Sequence, residues 1–238
     1  MSRKSQRNRP QQDPPSGTQA PAESNRALYI GAIVALLLAL LAGATLLKSK
    51  TTPDAPATDS ARPAALASEH SPALGDATAR VHIVEFLDPA CETCAQFYPL
   101  VKQLLADNPG KLRVSLRHVA FHDGAEHAVR VLEASRKQDK YWQTLEALFA
   151  SQAQWAPHHT VQPELVDQAI AGVGLDLQRL AADMNSPEVT ARIERDRADA
   201  MALKVTATPE YFVNGRPLPS FGYEQLLGLV NEELQAAY

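Results

Sequence analysis

Apolar residues occupy both faces of residues 79–87 (ARVHIVEFL). Val81, Ile83 and Leu87 share one face with Glu85, and Val84 and Phe86 share the other with His82. A strand apolar on both sides needs cover on both sides, so the pattern predicts a central strand. Asp88-Pro89 breaks it. The period then lengthens over 95–107, where Phe97, Leu100, Val101, Leu104 and Leu105 form one stripe and predict a helix. Asn108-Pro109-Gly110 ends that helix. Residues 112–119 (LRVSLRHV) predict a second strand, parallel to the first through a βαβ crossover. From about 125 to 204 the pattern is helical almost throughout, in segments 124–137, 139–151, 163–171, 176–184 and 187–204. Ser186-Pro187 reads as a cap followed by proline at the first helical position. Residues 210–213 (EYFV) return to strand character, Asn214-Gly215 signals a tight hairpin, and 216–219 supply its partner. An amphipathic helix over 223–236 follows. The order is β-α-β, a helical block, then β-β-α, which makes the folded part α/β.

The first 75 residues are of another kind. Residues 27–47 (ALYIGAIVALLLALLAGATLL) carry no charge over 21 positions. As a helix they reach about 31 Å, enough to cross the hydrocarbon core of a bilayer. Arg3, Lys4, Arg7, Arg9 and Arg26 precede the run, and only Lys48 and Lys50 follow closely. That bias puts the N-terminus in the cytoplasm and the rest of the chain outside. The competing reading is a cleaved signal peptide with Ala42-Gly43-Ala44 as its cleavage site. An uncleaved anchor suits the length of the run better, and both readings deliver the same compartment. Residues 1–26 read as a disordered polar tail. Residues 48–75, with Pro53, Pro56, Pro63 and Pro72, read as a semi-extended Pro/Ala-rich spacer ahead of a single domain at 76–238.

Charge narrows the function classes. Residues 1–50 hold seven of the 23 Lys/Arg and two of the 27 Asp/Glu, which leaves 16 basic and 25 acidic residues in the remaining 188. A body this acidic argues against nucleic-acid binding.

The chain has two cysteines, Cys91 and Cys94, in Cys91-Glu92-Thr93-Cys94. They fall where the predicted strand gives way to the predicted helix. Free N–H groups and the dipole at a helix start stabilise a thiolate there. Sulfurs at this spacing can close a small disulfide and reopen it, so thiol–disulfide exchange leads the candidate chemistries. Half of a zinc site is the first rival, but no second CxxC and no HxxxH follows at finger-like spacing. An inert structural clip is the second, but so small a loop restricts the unfolded chain little. No cysteine is left outside the pair, which suits an oxidising compartment. His118, His122 and His127 raise a copper(I) reading with the two thiols. The bland alternative ends a strand at His118 and leaves His122 and His127 solvated or capping the next helix. His158-His159 read as surface residues. Trp142 and Trp155, with Leu145 and Phe149, read as packing within the helical block.

Four features stand in order: EFLDPACETC at 85–94, the helical block at 125–204, Thr208-Pro209, and YFVNG at 211–215. With them, residues 68–238 resemble the DsbA-like branch of the thioredoxin superfamily. The resemblance implies a thioredoxin-like fold with an inserted helical domain at about 124–204, here behind one N-terminal transmembrane helix. It implies a thiol:disulfide oxidoreductase of the bacterial cell envelope. Its clients would be cysteine-bearing proteins, a redox partner protein would regenerate it, and no dissociable cofactor would be needed because the Cys91–Cys94 pair carries the electrons. The domain would face the periplasm from an inner-membrane anchor. Cys91 is then the exposed nucleophile and Cys94 the buried resolving thiol. Thr208-Pro209, with its proline in cis, would line the cysteine site and offer backbone to an incoming peptide.

Glu92 and Thr93 replace the Pro-His pair common in strongly oxidising members. A carboxylate beside Cys91 disfavours the thiolate, which predicts a less oxidising couple. Glu85, at a place where family members carry an acid, would shuttle protons; a strand-end carboxylate held by lysine or water is the alternative. Reduction or isomerisation of disulfides, or a tethered metal-binding module, remain the rival functions.

Overall fold

The computed structural model describes residues 61–66 and 69–238. The tail at 1–26, the apolar segment at 27–47 and most of the 48–75 spacer lie outside the described residues. Among the described residues no helix is long and apolar enough to cross a membrane.

The elements run α1 (Ala61–Leu66), β1 (Ala73–Gly75), β2 (Val81–Leu87), α2 (Glu92–Asp107), β3 (Leu112–His118), α3 (Ala125–Ser135), α4 (Tyr141–Ala150), α5 (Gln152–Trp155), α6 (Pro163–Ile170), α7 (Leu177–Met184), α8 (Pro187–Ala202), β4 (Glu210–Val213), β5 (Arg216–Pro217) and α9 (Tyr223–Ala237). Among the described residues five strands form one sheet in the order β1-β3-β2-β4-β5. β2 pairs parallel with β3, from Val81 against Leu112 to Leu87 against His118, which is the βαβ crossover read from the sequence. β4 lies antiparallel on the other side of β2, with Glu85 opposite Tyr211.

β2 is central because both its faces find apolar cover. Val81, Ile83 and Leu87 pack with Val101, Leu104 and Val230. Val84 and Phe86 pack on the opposite side with Leu66, Phe212, Ala200 and Val205. Each fully buried aliphatic or phenyl side chain contributes about 1.5–3 kcal/mol. The Asn214-Gly215 turn has both residues at positive φ, 47° and 81°, as a two-residue hairpin matched to strand twist requires. The Ser186 side chain accepts from the Val189 N–H at 3.3 Å, and Pro187 begins α8.

The structure differs from the sequence reading at 61–75, where the spacer was expected to continue. α1 and β1 are regular elements there. β1 is tied to the sheet edge by antiparallel pairing of Ala73–Gly75 with 113–115. Gly75 sits at φ 94°, and a Cβ there would meet the Leu112 carbonyl oxygen at 2.3 Å. The helical segments are also shorter and more broken than expected. The segment expected at 124–137 ends as α-helix at Ser135 and closes in a 3-10 turn at Arg136–Gln138, and a short helix not expected from the sequence, α5, follows α4.

Charged groups fasten the inserted helices to the sheet. Arg117 of β3 is fully buried. Its guanidinium donates to Asp196 and Asp199 of α8, and to the Ala65 carbonyl of α1 at 3.0 Å. His118 Nδ1 lies 3.0 Å from Glu133 Oε1, and the Tyr141 hydroxyl lies 2.8 Å from its Nε2. Burial alone would raise the Glu133 carboxyl; His118, Arg136 and Arg192 outweigh it and bring Glu133 down to about 2.

Candidate active site

The four residues ahead of α2 form a buried turn. Asp88, fully buried, organises it. Its Oδ1 accepts from the Ala90 N–H at 2.8 Å. Its Oδ2 accepts from the backbone N–H groups of Phe121 at 2.7 Å and His122 at 2.9 Å, and faces His122 Nδ1 at 2.8 Å. The Cys91 N–H donates to the Asp88 carbonyl at 3.0 Å. The chain thus leaves β2, turns once, and starts α2 with Cys91 at the N-cap, its backbone extended at φ −79° and ψ 116°.

Both cysteines are free thiols. Cys91 is only 5% exposed, and this corrects the expectation of an exposed nucleophile. The loop at Thr208 closes over it: the Cys91 thiol donates to the Thr208 carbonyl at 3.3 Å. A hydrogen bond with the Cys94 thiol does most to hold the Cys91 thiol down. The Thr208 side chain and the N–H groups of Cys94 and Thr93 add to it, and against the opposing effect of burial they bring Cys91 to about 5. Cys94, fully buried, moves the other way. Its burial raises it well above the ordinary thiol range, and Cys91 and the nearby Glu85 carboxyl add to the rise. The pair therefore separates into one acidic sulfur in front and one proton-retaining sulfur behind, a division of labour that exchange chemistry needs.

Glu85 lies in the core beneath the pair, 1% exposed. Tyr211 donates its hydroxyl proton to Oε1 at 3.1 Å, and Oε2 has no hydrogen-bond partner. Neither lysine nor solvent holds it. Burial drives its carboxyl up to about 8, moderated by Tyr211. A carboxyl in that range gives and takes a proton near neutral pH.

The Thr208–Pro209 peptide is cis, with Thr208 half-buried and Pro209 buried. Glu92 is exposed and Thr93 half-buried, both in the first turn of α2. So the structure brings Cys91, Cys94, Glu85, Thr93, Thr208 and Pro209 together, with Glu92 at the rim.

Several residues escaped the sequence reading. His122 is half-buried and paired with Asp88, not merely solvated. His159, read as a surface residue, is half-buried, stacks on His122 at 4.8 Å between ring centroids, and points Nδ1 at the Ala90 carbonyl, 3.4 Å away. Buried Gln152 donates to the carbonyls of Pro89 at 2.7 Å and Cys91 at 3.0 Å. Only Asp88, in its Asp-Pro step between the strand and the cysteine pair, left a local trace in the sequence. His118 belongs to the buried network described above, and among the described residues no group of three or more His, Cys, Asp or Glu could hold a metal ion.

The thioredoxin family model matches residues 67–232, more than two-thirds of the chain. The chain belongs to the thioredoxin superfamily, in its DsbA-like branch. Disulfide bond formation protein D of Bacillus subtilis is 26% identical over 172 residues, covering 69% of this chain and 77% of that protein. The Na(+)/H(+) antiporter NhaA of Herminiimonas arsenicoxydans is 35% identical over 144 residues, 60% of this chain; the match spans 22% of the antiporter. A thioredoxin-like oxidoreductase from Silicibacter pomeroyi superposes with a TM-score of 0.61 at 28% identity, covering 71% of this chain and 95% of that one. Wolbachia pipientis alpha-DsbA1 shares the fold at TM-score 0.64 and 19% identity, covering 74% and 97%.

DsbA-like proteins are thiol:disulfide oxidoreductases that use a redox-active disulfide. In this DsbA-like chain the inserted helices reach back to the cysteine turn, so the insertion and the thioredoxin core build the site together.

Proposed function

We propose that the protein is a thiol:disulfide oxidoreductase that exchanges disulfides with cysteine-bearing envelope proteins through Cys91 and Cys94. The observation that carries this reading is the split between the two sulfurs: Cys91 acidic at the N-cap of α2, Cys94 buried behind it and held protonated. In the oxidising direction a client thiolate attacks Cys91 Sγ of the closed pair. The Cys91–Cys94 bond breaks, and Cys94 leaves as a thiolate that takes a proton, with Glu85 as the nearby donor. A second client thiolate then attacks the client sulfur of the mixed disulfide and expels Cys91 as a thiolate. Two electrons pass from the client to the pair, and no further cofactor is required. A redox partner protein takes them away. Stabilising the Cys91 thiolate favours the reduced pair, which makes the disulfide an oxidant. The reverse flow, reduction or isomerisation, uses the same steps.

The domain works from the periplasmic face of the inner membrane, held by residues 27–47. The uncharged run and the basic residues ahead of it support this placement. A reporter that is active only after export, fused behind residue 75, should light up, and carbonate washing should leave the chain in the membrane fraction. Soluble release would replace the anchor with a cleaved leader.

For the chemistry, the purified protein is tested for oxidation of a reduced, unfolded two-cysteine client in glutathione buffer and for insulin reduction, each with and without chelator. Chelator-independent turnover that Cys91→Ser abolishes is expected. Stoichiometric copper(I) binding without turnover would replace the enzyme with a metal-binding module.

A further inference from the structure

We propose that Gln152 is a positioning residue for Cys91: a side-chain amide through which the inserted helices set the turn that presents the attacking sulfur. The inference rests on the exchange reaction proposed above.

The turn at 88–91 is buried, so its carbonyls must find partners inside the protein. The Asp88 carbonyl is answered locally, by the Cys91 N–H. The Pro89 and Ala90 carbonyls are answered from the inserted segment alone, and the Cys91 carbonyl from there and from the Ala95 N–H of α2 at 3.2 Å. Gln152 Nε2 donates to Pro89 O at 2.7 Å and to Cys91 O at 3.0 Å. His159 Nδ1 faces Ala90 O at 3.4 Å. An amide nitrogen has two protons, and Gln152 directs both at this turn. The two carbonyls it joins flank the Ala90 and Cys91 peptide units, so one nitrogen fixes their mutual orientation.

That orientation matters to the sulfur. A helix start stabilises a thiolate only where the sulfur faces the free N–H groups, and the effect fades within a turn. Here the N–H groups of Thr93 and Cys94 serve the Cys91 sulfur. With the donor gone, the buried Pro89 carbonyl loses its partner, the Cys91 carbonyl keeps only the Ala95 N–H, and the turn is free to relax. The sulfur then moves off the N–H groups and binds its proton more tightly. Gln152 touches neither sulfur nor client; it acts on the peptide that carries the sulfur.

The test uses Gln152→Met, which keeps length and removes the donor, with Gln152→Asn as a milder variant that keeps the amide and shortens its reach. Gln154→Ala, at an exposed position of the same helix, controls for disturbance of α5. Thiolate absorbance of Cys91 against pH, its alkylation rate at pH 6, and the equilibrium with glutathione are measured on the full chain. Gln152→Met should shift the thiolate midpoint upward by about one unit and slow alkylation at pH 6 by up to about twofold, since a hydrogen-bond network on a charged group is worth that much. Gln152→Asn should fall between, and Gln154→Ala should match the parent. If Gln152→Met fails to fold, Gln152→Asn decides alone. Unchanged midpoint and equilibrium in the folded variant, even with lowered stability, would make Gln152 a purely structural residue and overturn the inference while the exchange reading stands. A parent protein with an ordinary thiol midpoint and no turnover would sink both.

Discussion

The Thr208 carbonyl oxygen and the Cys91 sulfur stand 3.3 Å apart, across 117 positions of sequence. The contact brings the loop before β4 onto the start of α2 and covers the reactive sulfur with backbone. The Thr208 side chain also helps to lower the Cys91 thiol. Thr208→Val removes the hydroxyl and keeps the carbonyl. Its Cys91 thiolate midpoint should lie about half a unit to one unit above the parent's value near 5. Ultraviolet thiolate titration reads this directly; an unmoved midpoint would leave the hydroxyl without a role.

Glu85 makes stability depend on pH. Its folded-state value, about 8, lies above the ordinary 4.5. A raised acid contributes stability in full below the ordinary value, and that contribution is lost as pH climbs through the folded one. Glu85→Gln carries no such loss. The variant's advantage in urea midpoint should therefore be small at pH 4 to 5, widen to pH 8 and then level off. Its exchange rate should fall at least about tenfold if the carboxyl delivers the proton to Cys94. A constant offset across pH would place the ionisation elsewhere.

Asp196 neutralises the fully buried Arg117 and also accepts from the His118 N–H at 2.8 Å. Asp196→Ala strands a guanidinium in the core. Loss of about 3–5 kcal/mol in chemical denaturation is expected, with the Cys91 titration unchanged in whatever remains folded. A loss near zero would mean that Asp199 alone suffices.

Gly75→Ala meets two obstacles at once, a backbone φ of 94° and the Leu112 oxygen 2.3 Å from the new Cβ. We expect a loss of about 2–3 kcal/mol. Calorimetry should show a melting temperature several degrees lower. A neutral substitution would show that β1 is dispensable.

Glu92→His replaces a carboxylate beside Cys91 with a group able to carry positive charge. The couple should become roughly threefold more oxidising against glutathione, a modest change because position 92 is exposed and screened. An identical equilibrium would remove Glu92 from the tuning residues.

What the sequence disclosed, and what it withheld, follows the range of each interaction. β2, α2, β3 and the Asn214-Gly215 hairpin are legible because apolar period and turn chemistry act within a few residues. The cysteine pair announces itself by spacing. α1 and β1 are hidden because Ala/Pro-rich composition dominates there, and β1 gets its conformation from pairing with β3, 42 residues later for Ala73 against Ser115 and 38 for Gly75 against Arg113. Arg117 looks like a surface cation until Asp196 and Asp199 arrive 79 and 82 residues further on. Gln152 and His159 lie 61 and 69 residues from the carbonyls of Cys91 and Ala90 that they meet. No local pattern marks a glutamine in a helix as the partner of a distant turn.

The two margins of the sheet carry one more consequence. β1 is three residues long, and β5 is two and ends in Pro217. An open strand edge invites a passing unfolded polypeptide to zip onto it, and stubs this brief, one of them closed by a residue without an amide proton, offer almost no ladder to extend. An unfolded chain that meets these flanks gains almost nothing by staying on them.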